Sequence, residues 1–93
     1  MIIGVVTASI SIPGSRSLKE KRMIIKSLKD RIVHKMNVSA AEVGHQDAWQ
    51  LADLAFVTVA GEKQIVDQRL AEVSSLLRHD PRFVLINLHT EIL

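Results

Sequence analysis

The chain has 93 residues, of which 47% are apolar and 24% charged, with 4 Gly, 2 Pro and no Cys. That length allows one domain spanning residues 1–93, and that mixture excludes a disordered or low-complexity chain. Without cysteine there is no disulfide framework, thiolate metal site or cysteine nucleophile, and the formal charge of +2 is too small by itself to name a partner.

Ile2 to Ile12 reads as a strand. One of its faces carries Ile2, Gly4, Val6, Ala8, Ile10 and Ile12, and the other passes from Ile3 and Val5 to Thr7, Ser9 and Ser11. Pro13-Gly14-Ser15 breaks it. Ser17-Leu18-Lys19-Glu20 has the spacing of a capping box, in which the Ser17 hydroxyl accepts from the Glu20 N–H and the Glu20 carboxylate reaches back to the N–H of Ser17. Behind it Leu18, Ile25, Leu28, Ile32 and Met36 recur at helical spacing, which predicts a helix from Leu18 to about His34. A weakly alternating strand over Val38–His45, a polar connection Gln46–Gln50, and a strand over Leu51–Ala60 follow. The last of these is apolar on both faces, as a buried central strand would be. Glu62 to about Arg78 predicts a second amphipathic helix, stopped by Asp80-Pro81. Arg82–Ile92 closes as a strand that alternates Val84, Ile86, Leu88 and Ile92 against Phe83, Leu85, Asn87, His89 and Glu91.

The order is βαββαβ. With right-handed crossovers it gives an α+β, ferredoxin-like sandwich: a four-stranded antiparallel-type sheet with two helices on one face.

The stretch Ile12-Pro13-Gly14-Ser15-Arg16-Ser17-Leu18-Lys19-Glu20-Lys21-Arg22 resembles the opening motif of the YlxP-like family, a bacterial family of unknown function. Asn37-Val38-Ser39, Ala41-Glu42-Val43-Gly44, Gln46-Asp47 and Trp49 are similar to its middle motif, and the close on Glu91-Ile92-Leu93 is also in keeping with it. The resemblance covers nearly the whole chain. It implies a ferredoxin-like fold, a bacterial cytoplasmic setting, and genes placed near those of translation and ribosome maturation, which points toward RNA. It supplies no catalytic residue.

Charge is concentrated in one place. Arg16 to Lys35 holds eight of the twelve basic residues against two acids, a local charge of +6, while the rest of the chain holds four basic residues against eight acids, or −4. Lys19, Arg22, Lys26 and Lys29 fall on the helix face opposite the apolar stripe. With Arg16 they form a candidate surface for nucleic acid or another anion, through backbone phosphates, since no aromatic side chain lies there to stack on bases. Pro13-Gly14-Ser15-Arg16-Ser17 lacks the spacing of a P-loop and reads first as a capped turn, with an anion site at the helix start as the fallback.

Glu42, His45 and Asp47 are the only grouping with acid–base or metal-ligating chemistry, but an odd separation on a strand sends Glu42 and His45 to opposite sides. His34 and His79 sit at helix ends, and Trp49 reads as a core plug or an interface anchor. No catalytic, cofactor or small-molecule motif is present, and no segment is long and apolar enough for a membrane span or an export signal, so the expected setting is cytoplasmic, away from membranes.

Three readings follow: an RNA- or ribosome-associated binding module that uses the basic helix, a self-associating module that forms a homodimer through the sheet, or, as a distant third, an enzyme that uses Glu42, His45 and Asp47. For the second, Ile2, Val6, Ile10, Val84, Ile86 and Leu88 are assigned to the face under the helices. Ile3, Val5, Phe83 and Leu85, with one side of the strand around Phe56 and Val57, go to the uncovered face as the candidate interface. Thr7, Ser9, Asn87 and Glu91 are expected at its rim.

Overall fold

The computed structural model describes residues 1–93. The elements are β1 (Ile2–Ser11), α1 (Leu18–Lys35), β2 (Ser39–Gly44), β3 (Leu51–Ala60), α2 (Lys63–His79) and β4 (Val84–Ile92). The sheet order is β2-β3-β1-β4, and every neighbouring pair is antiparallel. Each βαβ half therefore straddles a strand of the other, which is the ferredoxin-like arrangement expected from the element order.

One cluster of 16 buried side chains joins both helices to one face of the sheet. β1 contributes Val6, Ala8 and Ile10, and β3 contributes Ala52, Leu54 and Phe56. Ile25, Leu28 and Ile32 from α1 and Val66, Leu70, Val73 and Leu77 from α2 cover them. At Gly4 the approach of α2 leaves no room for a side chain. A Cβ there would lie 2.5 Å from Val66 Cγ1 and 3.0 Å from Leu70 Cδ1.

α1 is capped as its sequence suggests on one side only. The Glu20 N–H donates to Ser17 Oγ at 3.1 Å, but the Glu20 carboxylate accepts from the backbone N–H of Arg16 instead of that of Ser17. The helix is thus closed by a carboxylate lying over its first turn.

β3 is central in the sheet but buried on one face only. Ala52, Leu54, Phe56 and Thr58 point under the helices, while Val57 and Val59 are exposed on the other side. Two helices cover one face of a four-stranded sheet and leave the other open.

The expected phase of β4 is wrong over half its length. The register with β1 pairs Ser9 with Asn87 but Ile10 with Leu85, so Ile86 is an extra residue bulged out of the ladder. The bulge shifts the alternation by one. Phe83, only 6% exposed, belongs to the core, and Leu85 packs against it, so neither lies on the uncovered face. Val84 and Ile86, assigned to the covered face, are instead exposed on the open one. Beyond the bulge the expected phase holds, with Leu88 packed against the core. In β1 it holds throughout: Ile3 and Val5 are half-buried on the open face.

Candidate functional site

The basic segment splits into an outer and an inner part. Arg16, Lys19, Arg22 and Lys26 are exposed and Lys29 is half-buried. Lys19, Arg22, Lys26 and Lys29 fall within one quarter of the helix circumference and span eleven residues, about 15 Å of helix. Arg16, Lys19, Arg22 and Lys29 make no ion pair. Lys26 donates to Asp30 at 2.6 Å, one turn on, and this hydrogen bond holds the Asp30 carboxyl below its usual range. Asp30 is the one acid on that face. Met23, 63% exposed, lies beside these cations.

Lys21, which belongs to the same charge run, is completely buried. Its ammonium donates to the carbonyls of His45 at 2.6 Å and Ala48 at 2.7 Å, and Glu42 Oε2 stands 2.7 Å away. The Glu42 contact is ionic: its angle is not that of a hydrogen bond, and no other donor reaches that oxygen. Lys21 thus pins the β2–β3 connection to α1 and withdraws one positive charge from the surface. A gap in the apolar stripe could have announced it. Leu18 and Ile25 are seven residues apart, and position 21 is the one that a continuous stripe would fill.

Glu42, His45 and Asp47 do not converge. Glu42 faces α1 through Lys21, whereas His45, at a φ of 57°, turns toward the open face, with Nε2 at 3.7 Å from Asp53 Oδ2. Asp47 is exposed in the turn. Asp53 accepts from Ser9 Oγ at 2.8 Å. Trp49 is 55% exposed in the same connection, so it is no core plug. His34 and His79 each place Nδ1 against the carbonyl four residues back, of Asp30 at 2.6 Å and Ser75 at 2.8 Å. Both rings therefore donate from Nδ1 to close the ends of their helices.

The turn before α1 is fully engaged with the protein. The Ser15 N–H donates to Ile12 O, and the Gln50 side chain donates to the carbonyls of Pro13 and Ser15. With Glu20 lying over the first turn, the N–H groups that would hold an anion are partly occupied, and the turn acts as a cap.

A family described as "Protein of unknown function (DUF503)" matches residues 3–90. The chain belongs to the DUF503 family. The chain is also similar to "Uncharacterized protein YlxP" of Bacillus subtilis (strain 168), 31% identical over 80 residues that cover 86% of this chain and 87% of that one. Among solved structures, the "De novo designed protein Foldit4" has a TM-score of 0.48 at 12% identity, over 100% of this chain and 97% of that one. A second designed protein, "LFR1 1 with ferredoxin fold", has a TM-score of 0.46 at 15% identity, over 99% and 85% of the two chains. This DUF503 chain has no helix long and apolar enough to cross a membrane.

Proposed function

We propose that this DUF503 protein is a binding module that tracks the phosphate backbone of structured RNA with the outer face of α1. The observation that carries this reading is that Lys19, Arg22 and Lys29 lie on one outward face of α1 without an ion-pair partner, and that Arg16, exposed in the turn before the helix, has none either. A cation left unpaired on a helix loses little by exchanging water for a phosphate, and it gains from the release of condensed counterions. The lack of aromatic side chains on α1 limits the interaction to backbone and shape.

The test is retention of an RNA hairpin by the purified protein across a salt series. Replacing Lys19, Arg22, Lys26 and Lys29 together by Gln is expected to lower the slope of log affinity against log salt by about 0.9 for each duplex phosphate that the variant no longer neutralises. Because these side chains point away from the core, the far-ultraviolet circular dichroism should stay the same. Equal affinity in the quadruple variant would overturn the reading.

The alternative, a homodimer through the uncovered sheet face, draws on exposed Val57, Val59, Val84 and Ile86. Polar groups stand against it. Ser9, Thr7 and Asp53 run through the middle of that face instead of around its rim, with His89 and Asn87 beside them in the register. A dry interface there would bury the Asp53 carboxylate with one hydroxyl as its close donor.

A further inference from the structure

The two edges of the sheet are protected unequally. β2 is six residues long and its pairing is interrupted between Glu42 and Gly44. β4 is nine residues long, and its bulge disturbs only the half that contains Ile86. From Asn87 to Leu93 the edge has no proline, no lysine and no bulge, although such features are what normally keep an edge strand from pairing with another chain. The Leu93 N–H donates to Ile3 O at 2.9 Å. In an antiparallel ladder that bond turns Leu93, Glu91 and His89 toward β1 and leaves the N–H and C=O groups of Ile92, Thr90 and Leu88 pointing outward. Beside them α2 does not reach the edge. A groove runs between Ala71 and Ser74 on the helix and Leu88, Thr90 and Ile92 on the strand.

We infer that a second copy of this chain docks on this edge, with β4 antiparallel to its counterpart about a two-fold axis at Thr90, to give a continuous eight-stranded sheet. The argument is the self-complementarity of the sequence in that register. Leu88 falls opposite Ile92 of the partner subunit on the helix side. On the open side, His89 falls opposite Glu91 of the partner subunit, an imidazole against a carboxylate, and each such pair occurs twice. Neither His89 nor Glu91 makes an ion pair within its own chain, which leaves both free for that role.

The helix layer agrees with the same axis. Asp67 and Arg78 stand at the two ends of the groove. Gly4 pairs with Ile92 in the sheet and lies against Val66 and Leu70, which sets the turn centred between those two residues level with Ile92. The midpoint between Asp67 and Arg78 lies about 7 Å further along the helix. That distance is two strand residues, and it brings the midpoint level with Thr90. A two-fold axis there sets Asp67 toward Arg78 of the partner subunit and the reverse. Asp67 is held in its own chain only by an exposed pair with Lys63, 2.8 Å long, which competes weakly. α1 packs over β2 at the opposite edge, so the proposed RNA surface stays free in the dimer and the two proposals fail independently.

Sedimentation equilibrium of the full chain at micromolar concentration tests the dimer. The wild type should sediment as a dimer. Thr90→Pro should be monomeric with unchanged circular dichroism, because the Thr90 N–H points away from β1 and its loss costs no bond within the fold. Val57→Lys/Val59→Lys, which charges the open face, should remain dimeric. Asp67→Arg and Arg78→Asp should each weaken dimerisation about tenfold, and the two together should restore it, a reciprocity that a merely structural role would not produce. If Thr90→Pro fails to fold, the charge-swap set decides alone. A monomeric wild type, a dimeric Thr90→Pro, or a monomeric Val57→Lys/Val59→Lys would overturn the inference.

Discussion

A lysine without solvent exposure must find an oxygen for each of its three N–H donors or lose the hydration of a full charge. Lys21 finds the carbonyls of His45 and Ala48 and the carboxylate of Glu42. This arrangement makes it an organiser of the β2–β3 connection, which has few other ties to the helix layer. Lys21→Met keeps much of the volume but leaves the Glu42 carboxylate without its counter-charge and two carbonyls without a donor. Urea denaturation should show a loss of about 3–5 kcal/mol, the range for breaking one side of a buried pair. Adding Glu42→Met should recover part of that loss, because the uncompensated charge leaves with it. Full stability in the single variant would mean that water reaches the site. In the sequence Lys21 is hidden inside a run of like charges, and only the empty step in the apolar stripe distinguishes it from Lys19 or Arg22.

At the scale of elements, periodicity is informative wherever the ladder or helix runs unbroken. β3 and the span of α1 follow their patterns to within a residue or two, and β1 shows its inward set from Gly4 to Ile10. β4 does not, because one bulged residue exchanges the two faces and alternating apolar residues carry no mark of where the exchange happens. That is why alternation sends Phe83 and Leu85 outside while the fold holds them inside, and why Val84 and Ile86 are the reverse. The open face of β3 misleads for a different reason: Val57 and Val59 suit a strand by propensity whether or not anything covers them. Close approach of elements is equally silent in the sequence. Gly4 looks like a weak point in β1, yet it is where α2 rests on the sheet. Gly4→Ala should destabilise the fold by about 1–3 kcal/mol through overpacking against Val66 and Leu70, although alanine is otherwise the milder strand residue. A thermal midpoint unchanged by Gly4→Ala would show that the start of α2 yields without cost.

Across the whole molecule, the helices share a layer over one sheet face, and polar ties at the middle and the C-terminal end of α1 join them. Lys35 reaches Glu72 at 2.9 Å, and Arg82, just after α2, reaches back to Ser27 at 3.0 Å. Arg82 is held for that task by Asp80, whose side chain is 2% exposed and accepts from the guanidinium at 2.7 Å and from the Arg82 backbone N–H at 2.9 Å. The side-chain hydrogen bond from Arg82 holds the Asp80 carboxyl below its usual range, and Asp80 in turn raises the Arg82 guanidinium. A carboxyl that is more acidic in the folded chain stabilises it above the unfolded value, about 3.9, and that contribution disappears as pH falls through the lower folded value. Asp80→Asn should therefore cost about 1.5–3 kcal/mol at neutral pH, the scale of hydrogen bonds to a charged group. The difference from wild type should shrink as pH falls below about 4, where the unfolded chain takes up the proton first, and vanish once pH passes the lower folded value and the folded carboxyl is protonated too. Asp30 is also held low, by Lys26, but both side chains are exposed, so Asp30→Asn should leave the same acid titration nearly unmoved. Urea midpoints of the three proteins between pH 2.5 and 7 separate these effects. A constant gap between wild type and Asp80→Asn across that range would show that the tie acts through shape and not through charge.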